Sequence, residues 1–426
     1  MNRTPPRNLF NSMTLRLFVG CVCMWAMYET EAWGEDVKVP SYTLQEIIDL
    51  TLTHNPIIEL GKGRIDEKIG EELTTHAYPN PEFSVQLGHG QVLDPRGTSL
   101  FERYFTLSQP LEWPGTRAAG QLAAEAGVSS AQASFEEMQI NVKASVKRTF
   151  YEFLLAQTLA NLASRLLSTV TELEGAVKRR VDSGEAPPFE AVKVKVELLQ
   201  AQKHVSQTTG KVRTSQAILN QLTAGKLGEA FAIQGDFKSA KVSFNEPILV
   251  EEAFLHHPEI QKFQKLIDKA SAQYHQERQA RIPNVTISGS YQRDAGREGF
   301  VGGLSLPLPL WDQRQGDMAK ALGIRRQAEA NLQQAKIVLT RGIVEFVQIS
   351  KTASAQIHTF EQGLLKQAKE AVRIARTSFK FGETSLLDVL DAQRVLWQAF
   401  EGYAHARFDL AIALTELERL VGKELS

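Results

Sequence analysis

The chain repeats itself, and that duplication constrains its fold more than any other feature. His54-Asn55-Pro56 returns as His256-His257-Pro258, each closing a short helical pattern that begins at Leu44-Gln45-Glu46 or Leu249-Val250-Glu251. Pro79-Asn80 returns as Pro283-Asn284. Leu107-Ser108-Gln109-Pro110-Leu111, with Trp113 and Arg117, returns as Leu306-Pro307-Leu308-Pro309-Leu310, with Trp311 and Arg314. Arg180-Val181-Asp182-Ser183-Gly184, with Phe189-Glu190, returns as Ser378-Phe379-Lys380-Phe381-Gly382, with Leu387-Asp388. Landmarks that keep one order at an offset of about 200 residues describe a tandem duplication, so any fold must accommodate two copies of one plan.

Proline placement divides each copy. Prolines and glycines crowd residues 79–115 and 283–316, whereas the stretch from Gly115 to Ala186 has no proline and Pro309 is the last in the chain. A proline-free run of about 70 residues can hold a helix near ~100 Å long at about 1.5 Å per residue. Leu155, Leu159, Leu162, Leu166, Val170, Leu173 and Val177 step by three and four, as do Leu410, Leu414, Leu417 and Val421. These are coiled-coil seams, and they require the long helices to lie against one another.

The intervening segments have period two. Val285, Ile287, Gly289 and Tyr291 alternate with Thr286, Ser288, Ser290 and Gln292, a strand with one apolar and one polar face. Phe300, Gly302, Leu304 and Leu306 supply its hairpin partner across a loop at residues 293–299. The first copy offers Phe83, Val85 and Leu87, a loop at residues 88–99, then Phe101, Arg103, Phe105 and Leu107 alternating with Glu102, Tyr104, Thr106 and Ser108. Each copy thus contributes one hairpin.

Four strands are too few to enclose water, since even small closed barrels need about eight. An open sheet edge is not tolerated in a membrane, so a membrane reading demands several copies of the chain, with polar faces lining a lumen and long helices projecting from it. The alternative is a hairpin sheet packed on the helices of a soluble protein.

The N-terminus bears on that choice. Arg3, Arg7 and Arg16 precede an apolar run, Leu17 to Met27, and Ala32-Trp33-Gly34 has the small-x-small form of a cleavage site, which reads as a secretory signal peptide. Met13 is an alternative start, and Cys21 an alternative lipidation site. Both cysteines, Cys21 and Cys23, fall inside this leader, so the mature chain would have no thiol for a disulfide or a thiolate metal site. Lys+Arg 48 against Asp+Glu 49 leaves a net charge of -1, which argues against a polybasic nucleic-acid binder.

With the Pro-Asn strand starts, the run Ser-Gln-Pro-Leu-Glu-Trp-Pro-Gly-Thr-Arg at 108–117 and the run Gly-Glu-Thr-Ser-Leu-Leu-Asp-Val-Leu-Asp-Ala-Gln at 382–393, the sequence resembles the TolC family of outer-membrane efflux channels. The resemblance covers essentially the whole mature chain, and the Glu-Trp-Pro-Gly strand exit is similar to the heavy-metal efflux branch. It implies a mainly α fold with a small membrane β part. Duplicated long-helix coiled-coil hairpins would form a trimeric α-barrel, and each protomer would give four strands to a shared 12-stranded transmembrane β-barrel. The expected organisation is a signal peptide at 1–34 and two repeats. The first spans 35–240, with a strand hairpin at about 82–109 and long helices at about 115–225. The second spans 241–426, with a hairpin at about 284–307 and long helices at about 312–422. The short helices around Gln45 to His54 and Val250 to His257 would match the family's equatorial region.

The implied function is a passive outer-membrane duct extending into the periplasm and exporting substrate, metal cations in the heavy-metal branch and drugs or small organics in others. The implied partners are two further copies in a homotrimer, a periplasmic adaptor (membrane fusion) protein, an inner-membrane pump of the resistance-nodulation-division type, and outer-membrane lipid. The rival class is a soluble periplasmic coiled-coil scaffold or adaptor. By the resemblance, Asp388 and Asp391, with Glu190 in the first repeat, would line the pore constriction, and Gly184, Gly382 and Ser385 would meet the adaptor. The residues themselves give Asp388 a second role, because Ser385-Leu386-Leu387-Asp388 fits a capping box. Phe379 and Thr384 stand where family members can carry a tyrosine and an arginine. No catalytic residues, cofactor or metal ligands are expected: there is no phosphate loop, nucleophile elbow or typical zinc spacing, and His256-His257 reads as a helix end before Pro258.

Overall fold

The computed structural model describes residues 40–91, 99–238, 245–294 and 297–425; the leader, Met13 and Cys21 lie outside the described residues. The first repeat runs β1 (Ser41–Thr43), α1 (Leu44–His54), α2 (Pro56–His76), β2 (Glu82–Gln91), β3 (Ser99–Leu111), α3 (Pro114–Asp182), α4 (Pro188–Leu222) and β4 (Ala232–Gln234). The second runs α5 (Glu246–His256), α6 (Pro258–Gln279), β5 (Val285–Asp294), β6 (Arg297–Ser305), α7 (Gln315–Thr359), a π-helical turn (Phe360–Leu364), α8 (Leu365–Lys380) and α9 (Leu386–Val421).

The repeated His-x-Pro motifs start equivalent helices. Asn55 and His257 are the N-caps of α2 and α6, with Pro56 and Pro258 filling a first-turn position that needs no N–H. The Asn55 side chain accepts from the Ile57 N–H at 2.9 Å, and His257 Nδ1 accepts from the Glu259 N–H at 3.2 Å. His257 is buried, and burial holds its imidazole pKa below the usual value, so a neutral ring with a free lone pair suits the cap.

α3 is one helix of 69 residues, about 100 Å at 1.5 Å per residue. Of the expected seam, Leu159, Val170 and Val177 are buried, whereas Leu155, Leu162, Leu166 and Leu173 are half-buried. Ala156 and Ala163 fill the buried row with Val170 and Val177, seven residues apart as in a coiled coil, because small side chains let the helices approach closely. It packs on α4 and α9, and on α2 and α6. The second repeat is interrupted: at Phe360–Leu364 the helix widens by a π turn, with Gly363 at φ 177, ψ -28. The extra residue is accommodated by side chains from α9, as Phe360 packs edge-on against Tyr403 and the Tyr403 hydroxyl donates to Glu361 at 2.8 Å. Arg117 and Arg314 also diverge. Arg117 lies inside α3, stacked over Tyr78 and donating to Ala77 O at 3.0 Å, whereas Arg314 is the left-handed N-cap of α7 at φ 60.

The β1–β4 parallel pair and α1 close a core of Ile47, Phe150, Phe153, Leu219 and Phe231 with α3 and α4. A second core joins Leu249, Ile260, Leu339, Ile343 and Leu417. Between α3 and α9 the buried Glu418 accepts from Lys147 at 2.7 Å and Lys238 at 2.5 Å. Burial opposes its ionisation, but the two ammonium groups outweigh that and hold the carboxyl below its usual pKa range.

The two hairpins join in one antiparallel sheet, ordered β2-β3-β5-β6. Ladder pairing extends beyond the expected strand ends: Gly88 pairs with Glu102, Gly90 with Leu100, and Asp294 with Arg297. Glycines that read as loop residues are therefore strand residues, because continuous cross-strand hydrogen bonding outweighs their weak propensity. The register puts Phe83, Val85, Leu87, Phe105, Leu107, Ile287, Tyr291, Phe300 and Leu304 on one face. Ser84, Gln86, Tyr104, Thr106, Ser288, Ser290 and Gln292 occupy the other.

Candidate functional sites at the helical tips and the sheet

The two helix-to-helix turns are built alike. α3 ends at Ser183, and Gly184 takes φ +76; α8 ends at Phe381, and Gly382 takes φ +75. Both backbones are left-handed, a conformation that costs a residue with a Cβ about 1 kcal/mol or more. It lets Glu185 N–H reach Arg180 O at 2.8 Å and Glu383 N–H reach Ser378 O at 2.9 Å, closing each helix end. Pro187 and Pro188 then start α4, while Ser385 starts α9.

Ser385 and Asp388 form the reciprocal capping box. The Asp388 N–H donates to Ser385 Oγ at 3.3 Å, and Asp388 Oδ2 accepts from Ser385 N at 3.0 Å and Ser385 Oγ at 2.7 Å. These hydrogen bonds hold the exposed Asp388 carboxyl below its usual pKa. Asp391, one turn on, is exposed and lies 3.8 Å from Arg394, which also bridges to Glu197 of α4 at 3.2 Å. Glu190, in the first turn of α4, has Oε2 buried without a hydrogen-bond partner among the described residues. The three acids therefore differ in their surroundings: one capping, one exposed beside an arginine, one turned partly inward.

One apolar cluster of Val177, Val194, Phe379, Leu386, Val389 and Leu390 ties both tips together. Phe379 is buried beneath the Arg180 guanidinium, 4.8 Å from its ring centroid, and Thr384 Oγ1 donates to Ala375 O at 3.3 Å. A cation–π contact and a backbone tie thus fix Phe379 and Thr384 at this tip.

One grouping was not visible as spacing in the sequence. Glu72 and His76, one turn apart on α2, meet Glu125 of α3, with one potential ligand atom of each within 4.8 Å of the others. Sequence spacing does not reveal this grouping, because Glu125 comes from another helix and only Glu72 and His76 lie on one helix face. His76 Nδ1 lies 3.0 Å from Glu72 O.

Among the described residues no helix is long and apolar enough to cross a membrane. The sheet does carry an uncovered apolar face: Phe83 is 64% exposed, Leu87 63%, Phe300 88% and Leu304 73%. The described residues thus join duplicated long helices to a sheet whose apolar face is left uncovered.

Among known proteins, the outer membrane efflux protein family matches residues 75–225 and 249–423. The cobalt-zinc-cadmium resistance protein CzcC of Cupriavidus metallidurans is 26% identical over 383 residues, 89% of this chain and 90% of the relative. A membrane protein from Pseudomonas aeruginosa superposes with a TM-score of 0.80 at 16% identity, covering 91% of each chain. The CmeC outer membrane channel of Campylobacter jejuni gives 0.77 at 16%, covering 89% of this chain and 85% of that one. The chain belongs to the outer membrane efflux protein family. It is an outer-membrane duct that reaches into the periplasm, and it is not an enzyme.

Proposed function

We propose that three copies of the chain assemble into the exit duct of a tripartite efflux system that exports divalent transition-metal cations. The observation that carries this is the four-stranded sheet, apolar on one face, polar on the other and open at β2 and β6. Three such sheets joined edge to edge give a barrel of about 12 strands, wide enough for an aqueous lumen, with the polar face inside. The long helix pairs continue below it as an α-barrel. In this reading residues 1–34 are removed as a signal peptide, and the repeats at 35–240 and 241–426 each supply one hairpin and one set of long helices.

The tips at Gly184 and Gly382 form the periplasmic end. There Asp388, Asp391 and Glu190 would recur around a threefold axis as a ring of negative charge, which concentrates cations at a narrow opening. Gly184, Gly382 and Ser385 would meet a periplasmic adaptor, and an inner-membrane pump of the resistance-nodulation-division type would supply the energy. The cargo assignment is supported by the relatives named for resistance to cobalt, zinc and cadmium and to nickel, cobalt and cadmium.

Fractionation and sizing test the duct. The protein should stay with outer membranes after a high-salt wash and migrate in mild detergent as three chains. Recovery as a soluble periplasmic monomer would reject the barrel and favour the scaffold alternative. For the cargo, deletion of the gene should sensitise cells to cobalt, zinc or cadmium salts; sensitisation to organic solvents or drugs alone would overturn it.

A further inference from the structure

The sheet carries a feature that export does not explain. One row of its apolar face reads Leu87, Arg103, Arg293, Glu298 across the four strands, so two arginines are direct register partners on β3 and β5. Like charges placed opposite each other destabilise a sheet unless something neutralises them. Among the described residues nothing does so: Arg103 Nε is buried without a hydrogen-bond partner, and neither guanidinium has a carboxylate within 4.0 Å. Glu298, at the end of the row, instead accepts from the Tyr291 hydroxyl at 2.9 Å.

The row has a definite depth. Immediately on the helical side lies Val85, Phe105, Tyr291, Phe300, with ring centroids 6.3 Å apart for Phe105–Tyr291 and 5.3 Å for Tyr291–Phe300. Beyond the other end of the sheet, in the segments that lead into α3 and α7, are Trp113 and the 88%-exposed Trp311. From Trp113 to Phe105 is eight residues of chain, about 27 Å at ~3.4 Å per residue, or about 21 Å along the normal for strands tilted ~40°, and Arg103 lies about 5 Å farther out. The Trp113–Phe105 span is close to an apolar band of about 25 Å between two aromatic girdles. The arginine pair therefore sits just outside the outer girdle, where headgroup phosphates lie. One row beyond, His89 and Phe101 meet edge-to-face at 5.3 Å and close the patch.

We infer that Arg103 and Arg293 form a clamp for the phosphate of an outer-leaflet lipid, one per protomer. Two adjacent planar forks suit phosphate oxygens, and such charge-assisted bonds are strong at a half-dry interface. The inference rests on the barrel reading above, since it needs the apolar face to look into lipid.

The test uses purified full-length protein in phosphatidylcholine nanodiscs, with and without a bis-phosphorylated glycolipid, its dephosphorylated form, or inorganic phosphate. The phosphorylated lipid is expected to raise the melting temperature of the wild-type assembly and to be retained in native mass spectrometry; the other two additions should do neither. In the R103Q/R293Q double variant retention should fall about tenfold or more, and the melting shift should vanish. R103K/R293K, which keeps the charges but not the forks, should retain part of both effects. Undiminished retention by R103Q/R293Q overturns the clamp, and inorganic phosphate reproducing the whole effect overturns the lipid as its ligand. Failure of the barrel reading would look different: the wild type itself would form no conducting assembly.

Discussion

At the scale of single residues, the clearest energetic commitment is Glu418. Its carboxylate is almost wholly buried between Lys147 and Lys238, so Glu418→Gln leaves Lys147 with only the exposed Glu424 at 3.8 Å and should cost about 2–3 kcal/mol, read as a lowered midpoint in denaturant unfolding. The pH dependence follows from the depressed folded pKa. The carboxylate contributes its stability in full above the ordinary glutamate value of 4.5 and loses it as pH falls below that value toward the folded one. Wild type should therefore melt progressively lower through that acid window, and Glu418→Gln should show less of the decline; parallel pH profiles would contradict this. At the tip, Ser385→Ala removes a cap worth about 1 kcal/mol. Asp391→Ala leaves the capping box intact, so the two variants separate the roles: only the second should change single-channel cation conductance without lowering stability.

At the scale of elements, each repeat ends its coiled coil in a turn that needs a left-handed residue. A Cβ at Gly382 would meet no atom within 4 Å, so Gly382→Ala carries only the backbone penalty of about 1 kcal/mol. If this turn touches the adaptor, complex formation should weaken by more than the stability loss explains, as read by adaptor pull-down beside a melting curve. The π turn at Phe360–Leu364 has no counterpart in α3, so the two repeats share a plan without sharing mechanics.

At the scale of the whole molecule, the sheet has the wrong surface for water. Leu107 lies near the middle of the apolar face and is 55% exposed in a single chain. Leu107→Arg should cost about 2–4 kcal/mol per copy on the lipid side and prevent stable membrane assembly. Thr106→Arg, on the opposite face, should assemble and change conductance instead. Equal tolerance of both substitutions would mean the faces are not divided between lipid and lumen.

Much of this was legible in the chain itself, because the signals are local and periodic. The three-and-four stepping in α3, alternation in β3 and β5, and the Ser385–Asp388 box each depend on residues within a turn or a strand of one another; the His-x-Pro motifs marked helix ends but not the α2 and α6 helices that their prolines also open. What only tertiary structure decided depends on pairing between distant segments: the register that sets Arg103 opposite Arg293, the meeting of Glu72 and His76 with Glu125, and the burial of Glu418 between Lys147 and Lys238. Even the strand ends moved for this reason, since ladder hydrogen bonds from a neighbouring strand outweigh the loop preference of Gly88 and Gly90. Periodicity reports which face of an element is apolar, but not which other face it will meet.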